Sequence, residues 1–208
     1  MAIVWAWPST VDAYAAAGKH IEVPRPDCPS CERAMMFWSG YWRTVRAGPT
    51  VVVWVRRCRC PGCRVTHALL PSFCLVGRSF GVEVIGPAVE AHVAGAGTRS
   101  ISRAAHLEQS AVRHWCRRHL ERARLGVAVV VILTAWSRPS LPPTEADALA
   151  AVHVLGGSHT ALSPWAAVSL VTGGRWLSPP PTGSRAYSAA PSRRSMGGIG
   201  HEGRPRAP

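Results

Sequence analysis

An α+β fold, in which a small β-hairpin zinc ribbon precedes a mostly α-helical helix-turn-helix region and a disordered C-terminal tail, follows from three features of the sequence. Two C-x-x-C pairs, Cys28/Cys31 and Cys60/Cys63, bracket a stretch of strand-forming residues. From Val82 to Arg124 the apolar residues recur at helical spacing. Beyond Pro179 the chain is rich in Pro, Gly and Ser and poor in apolar residues. The 208 residues thus divide into an N-terminal arm (1–24), a zinc ribbon (25–77), a helix-turn-helix (78–125), a short helical region (126–178) and a basic tail (179–208).

In the ribbon, each cysteine pair suits a tight turn in which two thiolates converge on one ion, and two such turns complete a tetrahedral sulfur site. Between them, Met35 to Val45 carries four aromatics (Phe37, Trp38, Tyr41, Trp42), Ala47-Gly48-Pro49 is turn material, and Thr50 to Val55 is β-branched. Half of those aromatics are expected to face the ribbon's own core. So small a core folds poorly without metal, so one structural Zn²⁺ held by Cys28, Cys31, Cys60 and Cys63 is expected. Cys58 and His67 are alternative ligands, but only Cys60 has the two-residue gap to Cys63. Cys74 and Cys116, in apolar settings, read as buried thiols.

The helical region opens at Val82, with Ile85, Val89 and Val93 on one stripe, Pro87 close to the first turn, and Gly95 and Gly97 at the end. A short helix from Arg99 to Ala105 follows, with His106 in the turn, where a glycine with positive φ is the usual residue. The third helix, Gln109 to Arg124, has an inward stripe of Val112, Trp115, Cys116, His119 and Leu120. Such a trio places its third helix in the major groove. Gln109, Ser110, Arg113 and His114 then approach base edges, and Arg117 and Arg118 the phosphates. After the break Arg138 to Pro143, a last helical stretch spans Thr144 to Leu155, and the Gly156-Gly157 and Gly173-Gly174 pairs read as turns.

Charge supports a polyanionic partner. There are 24 basic and 11 acidic residues, and Lys19 is the single lysine, so the net +13 is carried by arginine, the side chain suited to bidentate contacts with phosphate and guanine. The excess is concentrated at +6 in residues 25–67, +5 in 98–125 and +4 in the tail. Only Glu145, Asp147 and Glu202 follow the helix-turn-helix, too few carboxylates for a metal-dependent nuclease site, so no enzymatic activity and no small-molecule substrate are expected. The start lacks a secretory signal and no apolar run reaches the ~20 residues of a membrane span, so a cytoplasmic protein with reduced cysteines and no membrane partner is expected.

The run Val23-Pro24-Arg25-Pro26-Asp27-Cys28-Pro29-Ser30-Cys31, the Cys60-Pro61-Gly62-Cys63 pair with Thr66 to Phe73 after it, and Val112-Arg113-His114-Trp115 resemble a bacterial family of unknown function. Its members join a zinc ribbon to a homeodomain-like helix-turn-helix, as the N-terminal regions of insertion-sequence transposases do. The resemblance takes in Val11 to Gly18, Ser163-Pro164-Trp165 and Thr172 to Arg175, and so residues 1–178; Cys58, His106 and the apolar Val127 to Leu133 depart from it. It implies this architecture, and the basic charge, the helix front and the scarcity of carboxylates make the expected function a duplex-DNA-binding module, transposase-like or regulatory, without a catalytic domain and compatible with a homodimer. Two other functions remain open. One is an RNA-binding ribbon whose hairpin aromatics stack on unpaired bases; the other is a protein scaffold whose basicity serves an acidic partner.

Overall fold

The computed structural model describes residues 2–134, 144–157 and 161–177, with the side chains of 123–126 and 128–134 outside that description. Among these residues four strands and six α-helices run in the order β1 (Ala2–Trp5), α1 (Val11–Ala17), β2 (Met36–Arg46), β3 (Thr50–Arg59), β4 (Thr66–Pro71), α2 (Val82–Val93), α3 (Thr98–Ala104), α4 (Gln109–Thr134), α5 (Glu145–Gly157) and α6 (Pro164–Val171). The expected tail, 179–208, and the break at Arg138 to Pro143 lie outside the described residues.

The expected hairpin is present and longer than its β-branched run, because β3 continues through Arg56-Arg57-Cys58-Arg59. Gly48, at φ 99°, makes the turn, and the Ala47 N–H donates to the Pro49 carbonyl at 3.0 Å. The sheet is wider than a hairpin, with order β1-β4-β3-β2, β1 lying parallel to β4 and the other pairs antiparallel. β4 escapes a period-two search because its side chains are covered on both faces, from His67 through Leu69, Leu70 and Pro71. The N-terminal arm is part of the sheet, Ala2 to Trp5 pairing with Ala68 to Pro71.

Thr10 caps α1, its hydroxyl accepting from the Ala13 N–H at 3.1 Å, and so sets Tyr14 facing inward. The Tyr14 ring is fully buried edge-on to Trp7 and Phe73, with centroids 5.2 and 5.3 Å away, and its hydroxyl donates to the Trp54 carbonyl at 3.0 Å. One apolar core runs from Val4 and Tyr14 through Val53 and Val55 to Ile85, Trp115, Trp165 and Leu177. It crosses every expected segment boundary up to residue 177. A smaller cluster of Cys28, Met35, Cys58, Cys60 and Leu69 lies beside the cysteine pairs.

That distribution corrects the expectation for the hairpin aromatics. Phe37, Trp38, Tyr41 and Trp42 are 39%, 63%, 40% and 51% exposed, so none enters a core. The sites they were expected to fill are occupied by Val45, Val53 and Val55 on one side and by Met35, Cys58 and Leu69 beside the cysteines. A register shift between Phe37 and Ser39 also breaks the alternation on which the expectation rested.

In the helical half, Ile85, Val89, Ile101, Val112 and Trp115 are buried together, each aliphatic side chain contributing about 1.5–3 kcal/mol. Pro87 falls inside α2 rather than in its first turn. His106 adopts φ 52°, and the Leu107 N–H donates to the Ser102 carbonyl at 2.9 Å, closing α3 as the turn requires. α4 overruns Arg124 and continues to Thr134. Its stripe is buried except at Leu120, which lies about 80° round the helix from Val112 and is exposed.

α5 opens on a reciprocal cap, the Thr144 hydroxyl accepting from the Asp147 N–H at 3.2 Å and the Asp147 carboxylate from the Thr144 N–H at 2.8 Å. Its last residues are Gly156-Gly157, where a turn was expected; a Cβ on Gly156 would lie 2.7 Å from Pro164 Cα, so close helix packing accounts for that glycine. The second pair does turn, with Gly173 and Gly174 at φ 59° and 72°. Trp165 at the start of α6 donates from Nε1 to the Glu90 carboxylate at 2.6 Å, tying α6 to α2. No helix among the described residues is long and apolar enough to cross a membrane.

Candidate metal centre and helix front

The two cysteine pairs are built as copies of one turn. In the first, the Cys28 N–H donates to the Arg33 carbonyl at 2.9 Å and the Glu32 N–H to the Cys28 carbonyl at 2.8 Å; in the second, Cys60 donates to Val65 and Arg64 to Cys60, each at 3.0 Å. Both are C-P-x-C, and proline after the first cysteine presets φ for the turn. The residue after each pair, Glu32 or Arg64, takes a left-handed conformation. That repeat of proline was a legible signal of paired turns; nothing in Glu32 or Arg64 marks the left-handed step.

The turns bring together the four expected ligands. The sulfurs of Cys28, Cys31, Cys60 and Cys63 all lie within 4.8 Å of one another, with Cys28–Cys63 at 3.5 Å and Cys31–Cys60 at 3.3 Å. A zinc ion at ~2.3 Å from four sulfurs places them ~3.8 Å apart, so the donor set fits a thiophilic ion and is compatible with structural zinc. Backbone amides favour charge on two of them. The Ser30 N–H, with that of Cys31, holds the Cys28 thiol below its ordinary range, and the Cys63 and Gly62 N–H groups hold Cys60 down to about 6. Contact with Cys60 pushes Cys31 up. At Cys63 the Val65 N–H pulls downward but is outweighed by desolvation and by the neighbouring thiols, and the group is pushed up to about 11. Binding a cation displaces the protons that these thiols carry.

Neither alternative ligand joins this cluster. Cys58 is buried and faces His67 across the β3–β4 ladder, and desolvation raises its thiol. His67 is also buried, its pKa lowered by desolvation, and both its ring nitrogens lack a hydrogen-bond partner among the described residues.

On α4 the six proposed contact residues separate into two groups. Ser110, Arg113 and Arg117 are exposed and Gln109 is half-buried at the helix start. His114 is turned toward Arg78, whose guanidinium donates to its Nε2 at 2.7 Å, and desolvation with three nearby arginines lowers its pKa. The Arg118 side chain is 13% exposed and bonds Glu121 at 2.5 Å. Exposed Arg99 and Arg103 on α3 extend the basic front.

Fold and site together define an α+β protein with a four-cysteine cluster able to hold a metal ion beside a packed trio of helices. A family described as a domain of unknown function (DUF6431) matches residues 28–115, from the first cysteine ligand to Trp115 on α4. No curated protein and no solved structure matches the chain.

Proposed function

We infer that the chain is a duplex-DNA-binding protein, a transposase-like recognition module or regulator, that acts by binding rather than catalysis. One structural Zn²⁺ on Cys28, Cys31, Cys60 and Cys63 holds the sheet to which the helices are docked. The observation that carries the reading is the α3-turn-α4 unit: left-handed His106 joins two mutually packed helices, and Ser110, Arg113 and Arg117 project from the solvent side of the second. An exposed polar face at the start of the second helix supports this reading, since a helix-turn-helix docks that part of its recognition helix in the major groove. Gln109 and Arg113 suit adenine and guanine edges, Ser110 is permissive, and Arg117 suits phosphate. His114 and Arg118 support the front from behind. Reduced thiols at the metal centre suit a cytoplasmic setting.

The test is titration of a labelled duplex with zinc-loaded protein over a range of salt concentrations, with polyglutamate as competitor. Binding should weaken with salt, and Arg117→Ala should reduce the log–log slope by ~0.9. A salt-independent affinity, or equal displacement by polyglutamate, would replace this reading with an acidic-protein scaffold.

A further inference from the structure

The outer surface of the hairpin carries aromatic rings and cations in direct sequence. Lys19 Nζ lies 5.2 Å from the Trp54 ring, and Trp54 is edge-on to Trp42 at 5.1 Å. The Arg56 guanidinium lies 5.0 Å from the Phe37 ring, whose centroid is also 5.6 Å from that of Arg25. Arg56 Nη2 donates to the Lys19 carbonyl at 3.0 Å, which joins the two halves into one strip. In the β2–β3 ladder Trp42 faces Trp54, Gly40 faces Arg56 and Phe37 faces Cys58, so strip residues alternate along the strands toward one side. Gly40 is required by this arrangement: a Cβ there would lie 2.3 Å from Trp54 Cζ2, so the indole crosses the strand only over a glycine.

Core packing accounts for Trp54, which lies partly buried against the main core, but not for Phe37 and Trp42, which are exposed. Nor do ion pairs account for the cations, since among the described residues none joins Lys19, Arg25 or Arg56 to a carboxylate. A duplex offers phosphates but keeps its base faces stacked, and an acidic peptide would engage the cations while leaving the rings in water. Unpaired nucleotides present both a π-face and a phosphate at every step.

We propose that this strip binds single-stranded nucleic acid, with Phe37 and Trp42 stacking on unpaired bases and Lys19 and Arg25 meeting the phosphates. The site is separate from the α4 front, so it adds a second nucleic-acid activity to the duplex reading and does not depend on it.

The test uses the full-length zinc-loaded protein with labelled oligothymidylate and oligouridylate of about fifteen nucleotides, within the span such surfaces cover. Both should bind and should quench tryptophan fluorescence, and the tighter of the two identifies DNA or RNA as the source. Phe37→Leu and Trp42→Leu, which keep apolar bulk without a π-face, should each weaken binding by at least about fivefold, whereas Trp42→Phe should retain most of it. Zinc content and duplex affinity should be unchanged in Phe37→Leu, which decides the matter if Trp42→Leu folds poorly. Arg113→Ala should leave single-strand affinity intact, so failure here is distinguishable from failure of the duplex reading. Unchanged affinity in Phe37→Leu would overturn the proposal. So would displacement by polyglutamate as efficiently as by oligonucleotide, or loss of self-association in the variants without any oligonucleotide binding.

Discussion

Glu32 and Arg64 adopt the same left-handed conformation, φ 57° and 60°, each immediately after the second cysteine of its pair. For residues other than glycine this costs roughly 1–2 kcal/mol apiece, and the return is that two sequence-distant turns present their sulfurs to one point. Coordination of a metal ion at that point would offset this cost.

Metal retention should therefore follow the cluster and not the cysteine count. Cys28→Ser and Cys63→Ser should lose the bound ion and loosen the hairpin, whereas Cys58→Ala and Cys74→Ser should keep one zinc per chain by metal analysis. Stoichiometric zinc in a Cys28/Cys31 double-serine variant contradicts the assignment.

The turn between α3 and α4 gives a second outcome. His106 sits at φ 52°, where a β-branched residue is strained, so His106→Val should lower stability by about 1–2 kcal/mol. His106→Gly relieves that strain but loses more backbone freedom on folding, leaving it unchanged or up to about 1 kcal/mol more stable. Thermal denaturation of both variants reads the sign; destabilisation by glycine would contradict the left-handed assignment.

Much of this architecture was legible in the sequence, and the parts that were not share a physical cause. The clustered cysteines, the hairpin, the starts of the three helices and the left-handed turn at His106 are local features, written in spacing and turn chemistry. β4 and β1 were invisible because a strand covered on both faces, or only four residues long, has no period to read. The hairpin aromatics were misplaced because alternation predicts which residues share a face but not which face is covered. His114 was assigned outward on helical geometry alone, which cannot foresee Arg78 arriving from the loop before α2, and Arg118 likewise, although its guanidinium is held by Glu121 one turn on.

Acid should destabilise the protein through its buried histidines. Desolvation lowers the pKa of His119, whose Nδ1 accepts from Trp176 Nε1 at 3.3 Å and whose Nε2 faces the Glu145 carbonyl at 3.2 Å. The unfolded chain then takes up the proton first, so this stability is present above the ordinary histidine range, ~6.5, and is lost as pH falls through the lower folded value. Between pH 7 and 5 the unfolding midpoint should drop. The drop should be smaller in His119→Gln at equal zinc content, with His67 and His114, also lowered, supplying the remainder. An identical decline in the variant would remove His119 from the account.

Docking of α6 on α2 depends on a glycine. A Cβ on Gly86 would stand 2.3 Å from Trp165 Cδ1, so Gly86→Ala must displace the indole that donates to Glu90. A loss of about 1–3 kcal/mol is expected from overpacking. Denaturant titration monitored by tryptophan fluorescence checks this, and an unchanged midpoint would show that Trp165 is not packed against α2.

The central functional claim is that the exposed front of α4 reads duplex sequence, and selection of preferred sites from a random duplex pool with wild type and Arg113→Ala tests it most directly. The account predicts a defined site for the wild type, loss of preference at one or two positions in the variant, and a cost of ~1–3 kcal/mol on the preferred site with much less on random DNA. No enrichment by the wild type, or a base preference unchanged at every position in Arg113→Ala, would contradict it.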